Sequence, residues 1–65
     1  MIYVFLADGF EECEALVPLD ILRRADIEVE TVGIGSNTIV GAHGISVNCD
    51  TTNENLSTDV VYADV

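Results

Sequence analysis

Residues 8–24 read DGFEECEALVPLDILRR, a helical pattern that directly follows an unbroken apolar run, and the fold is decided there. At about 100° per residue, the side chains sort into two arcs. Glu12, Asp20, Arg23 and Arg24 share one arc, which reads as the solvent side. Val17, Leu19, Ile21, Leu22 and Ala25 share the other with Ala15 and Pro18, and so wide an apolar stripe should lie against a sheet. Glu14 falls inside that stripe, so the spacing carries its carboxylate toward protein. Two readings stay open. Apolar cover favours the neutral form of a carboxyl, which can then donate a hydrogen bond to a neighbouring nucleophile or oxyanion. Alternatively, a first-turn acid snorkels to water and complements the helix dipole. Cys13 and Leu16 sit among the charges of the outer arc, a small apolar patch suited to a subunit contact. Pro18 cannot bond to the carbonyl of Glu14, which predicts a kink, either functional or merely tolerated.

Working outward, residues 2–7 form a continuous apolar run centred on Tyr3, Val4 and Phe5 and bounded by Asp8-Gly9. A strand apolar on both faces belongs in the middle of a parallel sheet. Asp8 and Glu11 have capping-box spacing, and Arg23 and Arg24 close the last turn, so both helix ends are marked. Residues 27–34, IEVETVGI, alternate and run into a Gly-rich turn, which completes a right-handed strand–helix–strand crossover. Residues 38–40 and 45–47 read as short strands joined through Gly41-Ala42-His43-Gly44, a hairpin on the sheet edge. Residues 51–59 are polar and turn-like with one helical turn near 54–56, and residues 60–65 turn apolar again.

The totals narrow the choice of function. With 65 residues the chain is at most one small domain, and below roughly 70–80 residues a core usually needs a staple. Twelve acids against two arginines give a net charge of −10, which repels phosphate backbones and anionic lipid and argues against nucleic acid and membrane as partners. A hydrophobic content of 49% argues against disorder. Met1 leads into the first apolar run with no basic leader, and that run is far short of the ~18 residues of a membrane span. A cytoplasmic protein with reduced thiols is expected. One helix covers one face of a sheet, whereas residues 2–6 read as buried on both. Residues 1–65 are therefore expected to be the N-terminal fragment of a single domain, whose remainder, as a missing segment or a second chain, is its partner. The alternative is a mini-protein that buries the bare face by dimerising.

YVFLADGFEECEALVPLDILRRADIEVETVGI resembles the opening of the ThiJ/PfpI superfamily, in the branch of the Parkinsonism-associated protein deglycase. The shared pattern is an apolar strand, then A-x-G-F-E-E-x-E-A, then P-x-D-x-L-R-R-A, then a second strand. Similarity continues more loosely through His43-Gly44-Ile45-Ser46-Val47 and Cys49-Asp50. The resemblance implies an α/β fold, the N-terminal part of a flavodoxin-like (class I glutamine amidotransferase-like) parallel-sheet sandwich with an edge hairpin. It implies that Glu14 supports a nucleophilic cysteine thiolate located downstream of this chain. It places Arg24 and His43 at intersubunit anion-binding positions of a homodimer, with Cys13 and Cys49 near the interface and neither cysteine as nucleophile; Leu16 joins that interface by its outer-arc position. Asp20 matches a carboxylate near the family's site and receives no catalytic role. Asp26 stands where the family usually has glycine, a departure that touches stability, since Asp accepts the left-handed C-cap conformation at modest cost.

The implied activity is cysteine-dependent chemistry on a small carbonyl substrate, a 2-oxoaldehyde or a glycated group, as a glyoxalase or deglycase, or else a peptidase-like hydrolase, without metal or cofactor. An oxidative-stress sensor or chaperone of the same family would use the same thiolate without turnover. From another class, a flavodoxin-like signalling module would bind magnesium and phosphate through Asp8, Glu11 and Glu12. A nucleotide-binding crossover is a poor fit, because only Gly9 follows the first strand where G-x-G-x-x-G is needed.

Overall fold

The computed structural model describes residues 1–55 and the backbone of residues 62–64. Strand β1 (Ile2–Leu6) leads through a turn into helix α1 (Glu12–Arg24), and β2 (Val29–Gly33) returns parallel to β1, with Ile2 opposite Val29 and Leu6 opposite Gly33. Strands β3 (Thr38–Val40) and β4 (Ser46–Asn48) pair antiparallel, β5 (Thr51–Thr52) runs parallel to β2, and β6 (Tyr62–Asp64) runs parallel to β1. The main sheet has the order β5-β2-β1-β6. Both neighbours of β1 are parallel strands, as its apolar run requires.

Two expectations are corrected at the edge. The β3–β4 hairpin does not extend the main sheet but forms a separate two-stranded ribbon, and β5, drawn from a stretch that reads as turn, takes the edge beside β2. Asp50 accounts for that docking. Its Oδ2 accepts from the backbone N–H of Thr31 at 2.9 Å, the Thr31 hydroxyl at 3.2 Å and Arg23 at 2.6 Å, while its own N–H donates to Thr31 Oγ1 at 2.9 Å. Side-chain bonds thus seat a polar segment that has little apolar surface to bury. Asn53–Asn55 forms one 3₁₀ turn, one residue before the expected helical turn, while residues 56–61 and 65 lie outside the described residues.

The core lies between the sheet, the helix and the ribbon: Val4, Leu6, Phe10, Ala15, Leu19, Val29, Ile39 and Cys49, with Ile2, Leu16, Leu22 and Val47 packed against them. Helix α1 continues through Pro18. Its buried line runs Glu12, Ala15, Leu16, Leu19, Leu22, a spacing of three and four. Val17 and Ile21, expected to face the sheet, are 54% and 59% exposed. Leu16, expected on the outer arc, packs against the core. The helix carries two apolar stripes side by side, and the spacing reading centred the sheet-facing arc between them. The C-terminus is a Schellman closure: Ile27 N–H bonds to Leu22 C=O and Asp26 N–H to Arg23 C=O, both at 3.1 Å, with Asp26 at φ 61°.

Candidate functional site

The site forms where the carboxyl end of β1 meets the ribbon. Gly9 follows β1 at φ 92°, a conformation suited to glycine, and the turn is stitched to β3 in both directions. Gly9 N–H donates to Val40 C=O at 2.8 Å, and Val40 N–H donates to Asp8 Oδ1 at 2.9 Å. Ala42 N–H then donates to Phe10 C=O at 2.8 Å, which lays the β3–β4 turn over the start of α1. Asp8 is therefore spent on the ribbon, and the helix is capped instead by Glu11, whose Oε1 accepts from the N–H groups of Cys13 at 2.7 Å and Glu14 at 3.3 Å.

Beneath the turn lies Glu12, only 5% exposed. Its Oε2 accepts from His43 N–H at 2.8 Å and Ile45 N–H at 3.4 Å, and its Oε1 lies 2.8 Å from His43 Nδ1. Glu11 Oε2 lies 3.8 Å from the same nitrogen. Gly41 leaves room for the Glu12 side chain here, since a Cβ at that position would push the carboxylate aside. The histidine bond, opposed by burial and aided by backbone N–H groups, holds the Glu12 carboxyl down at about 2. Reciprocally, the hydrogen bond to Glu12 and the charges of Glu12 and Glu11 raise His43 above its ordinary value.

Several expected positions are changed by this arrangement. Glu12, assigned to the solvent arc, is the buried acid of the helix, while Glu14, assigned to the protein side, is exposed. Glu14 occupies the first turn of α1 in line with Val17 and Ile21 at spacings of three and seven, so its carboxylate ends an exposed apolar strip, and no described residue bonds its side chain. Arg24 pairs with Asp20 on the surface at 2.9 Å. It lies at the far end of α1 from His43, about 18 Å away along the axis, so a single chain does not bring Arg24 and His43 together. Cys13 is an exposed free thiol; Cys49 is a free thiol within the core, and burial pushes it up, against a hydrogen bond with Thr31. Asp8, Glu11 and Glu12 do not assemble the acidic cluster of a magnesium module: among the described residues the three-donor cluster is Glu11, Glu12 and His43. The spacing reading missed it, although adjacent acids at a helix start and a histidine in a glycine-rich turn were its visible components.

With that geometry in place, comparison with known proteins decides the ancestry. A family model described as the DJ-1/PfpI family matches residues 1–65. The chain belongs to the DJ-1/PfpI family. Its structure superposes on a cysteine-to-alanine mutant of a DJ-1 superfamily protein from Salmonella typhimurium with a TM-score of 0.76 and 50% identity, covering 78% of this chain and 28% of that one. An oxidized DJ-1 from Toxoplasma gondii aligns with a TM-score of 0.88 and 26% identity, over 97% of this chain and 36% of that one. The flavodoxin-like α/β fold is thereby shown, and the chain spans roughly a third of these relatives' length. Among the described residues no helix is long and apolar enough to cross a membrane.

Proposed function

We propose that this chain supplies the supporting-acid portion of a cysteine-dependent enzyme acting on 2-oxoaldehydes or glycated groups. The observation that carries the reading is the placement of Glu14. It stands beside the carboxyl end of a central parallel strand, where open α/β sheets gather their chemistry, at the head of an exposed strip continued by Val17 and Ile21. In the complete protein the remainder of the domain covers this strip and brings a cysteine over Glu14. The Glu14 carboxylic acid donates a hydrogen bond to the sulfur and favours thiolate. The thiolate attacks the electrophilic carbonyl carbon; a C–S bond forms as the carbonyl π pair moves to oxygen, which takes a proton. The same reading makes the protein a cytoplasmic homodimer, in which Arg24 and His43, too far apart within one chain, meet across subunits.

The test is methylglyoxal consumption and thiol alkylation by the full-length protein. Glu14→Leu should lower both by about 100-fold or more, the scale of a lost acid–base partner, while leaving circular dichroism unchanged. Full activity in that variant would refute the role of Glu14. Fast alkylation that Glu14→Leu abolishes, in a wild type that never turns over methylglyoxal, would favour a redox-sensing thiolate.

A further inference from the structure

The Glu11–Glu12–His43 cluster has a geometry that helix capping and loop packing do not use up. Each carboxylate is anchored through one oxygen and presents the other. Glu11 Oε1 caps the helix and Glu12 Oε2 takes the loop N–H groups, while Glu11 Oε2 and Glu12 Oε1 converge on His43 Nδ1. One donor atom from each of the three residues lies within 4.8 Å of the other two, and an ion there would replace the hydrogen bond between Glu12 Oε1 and His43 Nδ1. The separations from Nδ1, 2.8 and 3.8 Å, bracket the roughly 3.3 Å edge between donors each 2.0–2.1 Å from a tetrahedral ion.

Charge balance points the same way. The two carboxylates have no arginine or lysine near them: the chain's two basic residues are Arg23 and Arg24, both at the opposite end of α1 and engaged with Asp50 and Asp20. The base that faces the two carboxylates is His43, and a divalent ion in place of the proton between Nδ1 and Glu12 would offset both negative charges.

We propose that Glu11, Glu12 and His43 form a binding site for one divalent transition-metal ion. One imidazole nitrogen with two carboxylate oxygens suits zinc, cobalt or manganese better than copper(I), which prefers sulfur, or calcium, which takes an all-oxygen shell. Binding uses the Nδ1 lone pair. The proton shared between Nδ1 and Glu12 is released to solvent, and Nε2 keeps its own. The ion bridges the start of α1 to the β3–β4 turn and leaves at least one coordination position for water or a ligand group. This site is independent of the role given to Glu14.

Cobalt(II) added to the full-length, metal-stripped protein tests it, because its spectrum distinguishes donor types. The expected result is one cobalt per chain, with d–d absorption and no thiolate charge-transfer band. His43→Ala and Glu12→Gln should each weaken binding about tenfold or more, the least expected when even an outer-shell partner of a ligand costs that much. Glu11→Gln retains an oxygen for the helix cap and should weaken binding similarly, so the outcome does not depend on variants that loosen the turn. Absence of uptake, uptake unchanged in all three variants, or a thiolate band in place of the d–d spectrum would each overturn the site.

Discussion

Glu12 shows how one residue joins two parts of the fold. It is a charged side chain under a loop, tolerable because its oxygens are met by two backbone N–H groups and an imidazole. The two titrations act in opposite directions. Glu12 is depressed from its ordinary 4.5 to about 2, so its contribution to stability is present above 4.5 and fades as pH falls toward 2. His43 is raised above 6.5, so its contribution is complete below 6.5 and fades as pH rises through the raised value. In the presence of a chelator, the difference in melting temperature between wild type and His43→Asn should therefore be largest between pH 4.5 and 6.5 and shrink on both sides. A difference independent of pH would mean that the ring contributes by packing alone. Neither Glu12 nor Glu14 could be placed correctly from spacing, because the helix has apolar residues on two adjoining faces. The line Ala15-Leu16-Leu19-Leu22 faces the core and Val17-Ile21 does not, and only the tertiary structure says which.

At the scale of elements, α1 is fixed at its ends by different chemistry. Glu11 closes the N-terminus through its own side chain, and a left-handed Asp26 closes the C-terminus. Asp26 tolerates φ 61° but pays a steric cost for its Cβ that glycine escapes. Asp26→Gly should raise stability by about 0.5–1 kcal/mol in denaturant melts of the full-length protein. A loss of stability would instead show that the Asp side chain holds the turn. The C-terminus was legible beforehand, since Arg23 and Arg24 close the apolar pattern and the family resemblance put Asp26 in the place of a C-cap glycine; the N-terminus was marked, but its cap was misassigned. Asp8 and Glu11 both had the right chemistry for it, and the choice between them rests on Val40, 32 residues from Asp8, whose N–H takes the Asp8 carboxylate. Strand β5 was hidden for a similar reason, because Thr51–Thr52 docks through the Asp50–Thr31 bonds and leaves no apolar signature.

For the molecule as a whole, the parallel core of the fold was visible in the sequence because β1 and β2 have the strongest apolar runs, and the structure pairs them along their full length. The other side of the sheet is less complete: Tyr3 and Phe5 alternate away from Val4 and Leu6 and are only half-buried. Val17, Ile21, Ile27, Ile34 and Ile45 are each more than 40% exposed, a large share of the apolar side chains in so short a chain. At about 25 cal/mol per Å² of apolar surface removed from water, leaving such residues wet forfeits much of what offsets chain entropy. Residues 1–65 produced as an isolated polypeptide should therefore melt without a cooperative transition and bind a hydrophobic dye, whereas a longer chain that covers these residues should do neither. Differential scanning calorimetry with a dye-binding assay separates the cases. A sharp transition of monomeric 1–65 would mean that one helix and one ribbon suffice to stabilise the sheet. The strip at Glu14, Val17 and Ile21 would then be free surface in the folded unit, and the cysteine that Glu14 supports would have to come from a partner binding there.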